Sequence, residues 1–168
     1  MPKSVGRDMT EALEIRIGQA LRRRQWTLAL AESCTGGLVS HRVTNVPGSS
    51  DYYRGGIVSY ANEAKVDLLD VCPETLAAQG AVSRETALEM AAGVRQALAT
   101  DVGLSVTGIA GPGGGTPDKP VGLTWIAVST PEGQAAERQV WSGEREAVKA
   151  QSAEAALALL LRVLEGGL

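Results

Sequence analysis

The chain has 168 residues, 44% hydrophobic and 21% charged, a balance that excludes a wholly disordered or collagen-like protein and suits one domain with a sizeable core. Lys plus Arg is 16 and Asp plus Glu is 19, a net charge of −3, which argues against a dedicated nucleic-acid binder. One His (His41) and two Cys (Cys34 and Cys72) argue against multi-histidine metal sites and against a disulfide framework.

The first eight residues carry no apolar stretch, so no signal peptide is expected, and residues 1–7 are expected to be flexible. No run approaches the ~20 apolar residues of a membrane helix. A cytoplasmic protein with reduced thiols follows as the expectation. Residues 8–24 predict a helix capped by Asp8 or Thr10, with Met9, Leu13, Ile17, Ala20 and Leu21 on one face. Arg22, Arg23 and Arg24 then read as cations at a helix C-terminus, with a nucleic-acid patch as the alternative. A short buried strand is expected over 27–31, a turn at 33–37 and a helix over 37–44, broken by Pro47-Gly48-Ser49-Ser50. A strand over 56–60 leads to a helix capped by Asn62 and running to Asp70. Ser83 opens a long helix to residue 99, and 102–107 reads as a strand. A Gly- and Pro-rich loop fills 108–120. Strands over 121–129 and 135–141 form a hairpin around Pro131-Glu132-Gly133, and a helix over 144–164 ends the chain. This order predicts a single-domain α/β sandwich with a mixed sheet and helices on both faces. The run 155–161 is apolar nearly all round, which implies either deep burial or an interface between copies.

Three segments carry residues suited to chemistry. Ala31-Glu32-Ser33-Cys34-Thr35-Gly36-Gly37 places a hydroxyl, a thiol and free backbone N–H groups between a strand and a helix. Such a turn can present a nucleophile, Ser33 or Cys34, and stabilise an oxyanion, or it can be an ordinary capped turn. A serine nucleophile needs a base. His41, within the next helix, is a poor candidate, and lysine is the other. Lys65 falls in the first turn of its helix, where the dipole and burial would lower its pKa, while Glu63 would act the other way. Tyr60 could relay a proton or hold Lys65. The third segment, 107–120, leaves a strand with glycines that allow close ligand approach, but it matches neither a Walker A loop nor a dinucleotide-binding fingerprint.

Together, Ala-Glu-Ser-Cys-Thr-Gly-Gly at 31–37, Tyr-Ala-Asn-Glu-Ala-Lys at 60–65 and Thr-Gly-Ile-Ala-Gly-Pro-Gly-Gly-Gly-Thr-Pro-Asp-Lys-Pro-Val-Gly at 107–122 resemble the CinA C-terminal-domain family, over residues 10–164. Ser-Gly-Glu-Arg at 142–145 resembles the family's segment before its last helix. Ala61, Thr116 and Asp118 are mild departures. The resemblance implies a three-layer α/β/α sandwich, usually oligomeric, in a stand-alone form without the family's molybdopterin-binding-like N-terminal domain. It implies hydrolysis of nicotinamide mononucleotide to nicotinic acid mononucleotide and ammonia by serine–lysine catalysis, without metal or cofactor. Ser33, Lys65 and Tyr60 would then be catalytic, with Cys34 a neighbour. Thr35, Gly36, Gly37, Thr107, Gly108 and Gly111 would bind substrate, with Arg54 or Arg145 as the phosphate cation. The expected partners are a small pyridine nucleotide and further copies of the chain through apolar helix surfaces, with no membrane and no nucleic acid. A non-catalytic nucleotide-binding or regulatory domain, linked to competence or DNA damage, is the alternative.

Overall fold

The computed structural model describes residues 10–168; the expected flexibility of 1–7 and the roles of Asp8 and Met9 lie outside the described residues. Five strands, β1 (Leu28–Glu32), β2 (Tyr53–Val58), β3 (Val102–Gly108), β4 (Leu123–Thr130) and β5 (Gly133–Val140), form one sheet in the order β2-β1-β3-β4-β5. β1 runs parallel to β2 and β3, and β4 and β5 are antiparallel. The sheet is mixed, as expected, and the late strands form the expected hairpin, with Thr130 opposite Gly133.

The helices are α1 (Leu13–Arg24), α2 (Leu38–Thr44), α3 (Asn62–Leu69), α4 (Pro73–Gln79), α5 (Arg84–Ala97) and α6 (Arg145–Leu164). α1, α2 and α6 cover one face of the sheet, where Ile17, Leu21, Leu30, Leu104, Leu157 and Leu160 share a core. α5 covers the other, with Met90 and Val94 against Ala29 and Ala31, and α3 and α4 pack on α5. β1 and β3 are buried almost throughout because helices cover both their faces, whereas the edge strand β2 alternates half-buried and exposed residues. The approach of α5 to β3 requires Gly103, where a Cβ would stand 2.0 Å from the Ala91 carbonyl oxygen. Ser105 Oγ donates to the Ala87 carbonyl (2.6 Å) and ties the same two elements.

Several local expectations change. α1 begins after Ala12, which makes no side-chain cap, so Thr10 is not its N-cap. Ala61, not Asn62, is the N-cap of α3. Sequence reading missed α4: its seven residues start with Pro at the first helical position and bury none of their side chains, so they carry no periodic apolar face. Ser83 does cap α5, accepting from the Thr86 amide at 3.1 Å. The apolar run on α6 is core, with Ala156, Leu157, Leu159, Leu160 and Leu161 buried within this chain. Arg22 donates to the Gly48 carbonyl and Arg24 to the Leu164 carbonyl, so both join α1 to its surroundings. Among the described residues no helix is long and apolar enough to cross a membrane.

Candidate active site

β1 and β3 end side by side, and their connections diverge: β1 leads into α2 on one face, while the chain reaches β3 from α5 on the other. In open α/β sheets the crevice beyond such carboxyl ends is where ligands bind. Here that crevice is a pocket of about 220 Å³ lined by Ser33, Tyr60, Lys65, Thr107, Gly108 and Arg145, with Cys34, Ala81, Val82 and Ala110 completing the wall.

Ser33 is the first residue after β1, and its amide donates to the Val106 carbonyl of β3 (3.0 Å). The turn then reverses through Gly36 (φ 59°) and Gly37 (φ 106°), both in the left-handed region that side chains resist, and Gly37 becomes the N-cap of α2. The Gly36 amide donates to the Ser33 carbonyl (3.1 Å), while the Thr35 and Gly37 amides make no main-chain hydrogen bond among the described residues. The turn is clamped from behind by Glu32, which is 1% exposed. Its carboxylate accepts from Thr35 Oγ1 (2.7 Å), Val39 N (2.9 Å), Ser40 N (3.0 Å) and Ser40 Oγ (2.8 Å).

Lys65, on α3, is also 1% exposed. Its Nζ lies 3.1 Å from Ser33 Oγ and donates to the carbonyls of Ser59 (2.7 Å) and Tyr60 (3.3 Å). No carboxylate among the described residues pairs with it. Burial therefore pushes the amine below the ordinary lysine value, although the Cys34 thiol beside it acts the other way. A buried, neutral amine against a serine hydroxyl can take the hydroxyl proton. Burial pushes the Cys34 thiol up to about 11, so Cys34 stands beside the pair as a protonated thiol.

The structure redistributes the other expected residues. Tyr60 is 60% exposed and its hydroxyl accepts from Arg145 Nη2 (3.0 Å), while its main-chain carbonyl accepts from Lys65 Nζ; of the two roles expected for it, relaying a proton or holding Lys65, the contact present is a holding one. β2 ends at Val58, but its alternation carries on through the next two residues, with Ser59 buried and Tyr60 exposed. Thr107 lines the pocket but its Oγ1 donates to the Ala81 carbonyl (2.8 Å). Thr35 is buried against Glu32, and Gly36 and Gly37 shape the turn without lining the pocket. Gly108 lines it, and a Cβ there would come within 2.8 Å of the Leu123 carbonyl oxygen and 3.1 Å of Cys34 Sγ. The Gly111 carbonyl accepts from Arg145 Nη1 (2.7 Å). Arg145 thus spans the mouth between the 109–122 loop and Tyr60. That loop is pinched by Gly122 N donating to the Ile109 carbonyl (2.8 Å) and pinned to α4 by Lys119 on the Gln79 carbonyl. Arg54 lies outside the pocket, near the start of β2, with its guanidinium on the Ser50 carbonyl. His41 is exposed on α2, with its ring beside Asn45.

Sequence reading missed Glu32, whose burial it did not expect, and Lys149. The Lys149 ammonium lies 3.9 Å from the position a Gly36 Cβ would take. Its spacing of four from Arg145 on α6 was the available signal, since residues i and i+4 share a helix face.

The CinA C-terminal domain family model matches residues 10–164. The chain belongs to the CinA family. A relative from Moorella thermoacetica, named as competence-damage inducible, is 56% identical over 154 residues, 92% of this chain and 37% of its own length. A CinA-like protein of Syntrophobacter fumaroxidans is 48% identical, over 92% of this chain and 36% of its own. The chain therefore spans little more than a third of the curated relatives it matches. Among solved structures, a CinA superfamily protein from Klebsiella pneumoniae superposes with a TM-score of 0.87 at 35% identity, covering 91% of this chain and 96% of that one. A competence/damage inducible protein from Agrobacterium tumefaciens, CihA, gives 0.87 at 39% identity, covering 91% and 93%. The α/β/α architecture expected from the CinA resemblance is thus that of the family's solved members.

Proposed function

We propose that this chain is an amidohydrolase that deamidates a pyridine nucleotide, nicotinamide mononucleotide, through Ser33 and Lys65. The observation that carries the reading is the 3.1 Å separation of Ser33 Oγ from a buried Lys65 amine that has no carboxylate partner. Ser33 Oγ attacks the carboxamide carbon while its proton passes to neutral Lys65, and the carbonyl electron pair moves onto oxygen. Main-chain amides of the turn following Ser33 are the donors assigned to that oxyanion. On collapse the C–N bond breaks and Lys65 returns the proton to the departing nitrogen, giving ammonia. Water then attacks the acyl-serine, Lys65 takes its proton, and the nicotinate carboxylate leaves as Ser33 regains its hydrogen.

The pocket, at about 220 Å³, is smaller than the ~300–1,000 Å³ of sites that enclose whole drug-sized ligands. It suits the carboxamide-bearing ring, with the phosphate toward Arg145 at the mouth and Lys149 as a second cation beside the Gly36 turn. Among the described residues neither cation is ion-paired with a carboxylate, which leaves both available to an anion. The relatives' names refer to competence and damage and state no reaction. Ammonia release from nicotinamide mononucleotide by the purified chain is the test, with Ser33→Ala expected to abolish it while the circular dichroism spectrum stays unchanged. No release by the parent protein, with binding retained, would favour a non-catalytic nucleotide-binding domain. We further propose that copies associate, which light scattering after size exclusion would measure.

A further inference from the structure

Two glycines in succession give the 33–37 turn little conformational preference of its own, because glycine populates left- and right-handed regions about equally. Inside the turn only two main-chain hydrogen bonds act, Gly36 N to the Ser33 carbonyl and Leu38 N to the Thr35 carbonyl, each 3.1 Å. Something outside must fix its shape if Ser33 Oγ is to stay in reach of Lys65. Glu32 is placed to do so. Each of its carboxylate oxygens accepts one main-chain amide that can only donate, Val39 N on Oε1 and Ser40 N on Oε2, and one hydroxyl, Thr35 Oγ1 on Oε1 and Ser40 Oγ on Oε2. It thereby joins the middle of the turn to the first turn of α2. The same residue also reaches Lys65. The Glu32 carbonyl accepts from the Ser59 amide (2.9 Å), and the Ser59 carbonyl in turn accepts from Lys65 Nζ (2.7 Å). Its side chain holds the nucleophile's turn, and its main chain holds the base's seat.

We infer that Glu32 is a positioning residue that sets the Ser33–Lys65 alignment by clamping the Gly36-Gly37 turn through a carboxylate that only accepts hydrogen bonds. The inference rests on Ser33 being the nucleophile. Glu32→Gln is the informative change because it keeps the shape but sets an amide N–H₂ against an N–H that can only donate. The main chain of residue 32, and with it the seat of Lys65, is untouched.

The experiment uses phenylmethylsulfonyl fluoride and needs no natural substrate. Ser33 Oγ forms a bond to sulfur, the S–F bond breaks with fluoride leaving, and the serine proton passes to Lys65. Intact mass reports the adduct, and peptide mapping locates it. Glu32→Gln is expected to lower the maximal labelling rate constant ~10–100-fold, the scale of a sub-ångström to ångström misplacement of reacting groups. The half-saturating reagent concentration should stay within about threefold of the parent's, and the pH at which the rate rises should not move, since both report features away from the turn. A purely structural role would instead lower the fraction of chains labelled and leave the rate constant of the folded remainder unchanged, which overturns the inference. If Glu32→Gln does not fold, Thr35→Val and Ser40→Ala each remove one hydroxyl from the clamp. Each should slow labelling ~2–10-fold, with Thr35→Ser restoring the rate, on the same positional argument. Rates within twofold of the parent in both overturn it. Absence of labelling at Ser33 in the parent refutes the serine reading and the inference together. Labelling of Ser33 with no effect of the clamp variants refutes the inference alone.

Discussion

Glu32 and Lys65 are both ionisable, both 1% exposed and close neighbours in the fold, yet the structure treats them in opposite ways. The Glu32 carboxylate receives four donors, two of them main-chain amides at the start of α2. Lys65 meets two carbonyls and a hydroxyl, with no opposite charge, so burial favours its neutral form. Equal burial therefore has two outcomes. A buried carboxylate whose acceptor sites are filled by donors belongs to the scaffold, and a buried amine without an opposite charge is suited to the role of base proposed for Lys65.

The sharpest way to break this contrast is to delete each group. Lys65→Met should lower amidase turnover by ~10³-fold or more, the scale seen when one member of a catalytic unit is removed. Its Tm, followed by circular dichroism, should stay within about 5 °C of the parent, because the amine is buried with no opposite charge to offset its desolvation. Glu32→Ala should do the reverse in stability, costing about 3 kcal/mol in urea unfolding by leaving donors buried without an acceptor. Equal destabilisation by both changes would refute the distinction.

A pH profile sharpens the second half of the contrast. The base must be neutral, so kcat/KM should be lost as pH falls through the lowered Lys65 value and reach its plateau above it. The midpoint of that rise should lie clearly below ~10.4, the ordinary lysine value. A rise centred at the ordinary value would mean that the amine is solvated during turnover.

A smaller effect concerns the thiol beside the pair. Cys34 is buried with its pKa pushed up to about 11, and Cys72 is exposed. Iodoacetamide at pH 7.5 should label Cys72 at least ~10-fold faster, since the thiolate is the reacting form. Fast labelling of Cys34 would show that the pocket shifts its neighbours less than the geometry implies.

The smallest expected change tests a carboxylate that does have a cation. Burial alone would raise Glu14, but the Arg42 guanidinium, with Nε 2.5 Å from Glu14 Oε1, holds it below its usual value. Its folded-state pKa is depressed, so the stabilisation is present above the unfolded value of ~4.3 and is lost as pH falls through the folded one. Glu14→Gln should therefore cost about 0.5–1 kcal/mol at pH 7 and nothing at a pH below the folded value, read by urea unfolding.

The sheet and every helix but α4 were legible because hydrophobic period and turn residues act locally, as at the Pro131-Glu132 hairpin and the Ser83 cap. Ser33 and Lys65 were legible as residue types beside a turn and a helix start. What escaped was direction. Tyr60 falls on the exposed side of the alternation that runs on from β2, and whether Arg54 reaches the pocket depends on which end of β2 it occupies. Glu32 escaped for another reason. Its burial is set by donors at Val39 and Ser40, which come into range only when Gly36 and Gly37 fold the chain back.

Arg145 joins Tyr60 across 85 positions of sequence, and it opens the helix that also carries Leu157 and Leu160 into the core. The recognition mouth is therefore closed by the same step that completes the hydrophobic interior. A nascent or clipped chain stopping short of that helix would hold the serine and the lysine in its sequence yet present no enclosed cleft. The proposed turnover should thus rise and fall with global folding as a single event, so that ammonia release, where it occurs, would be an all-or-none reporter of the native state.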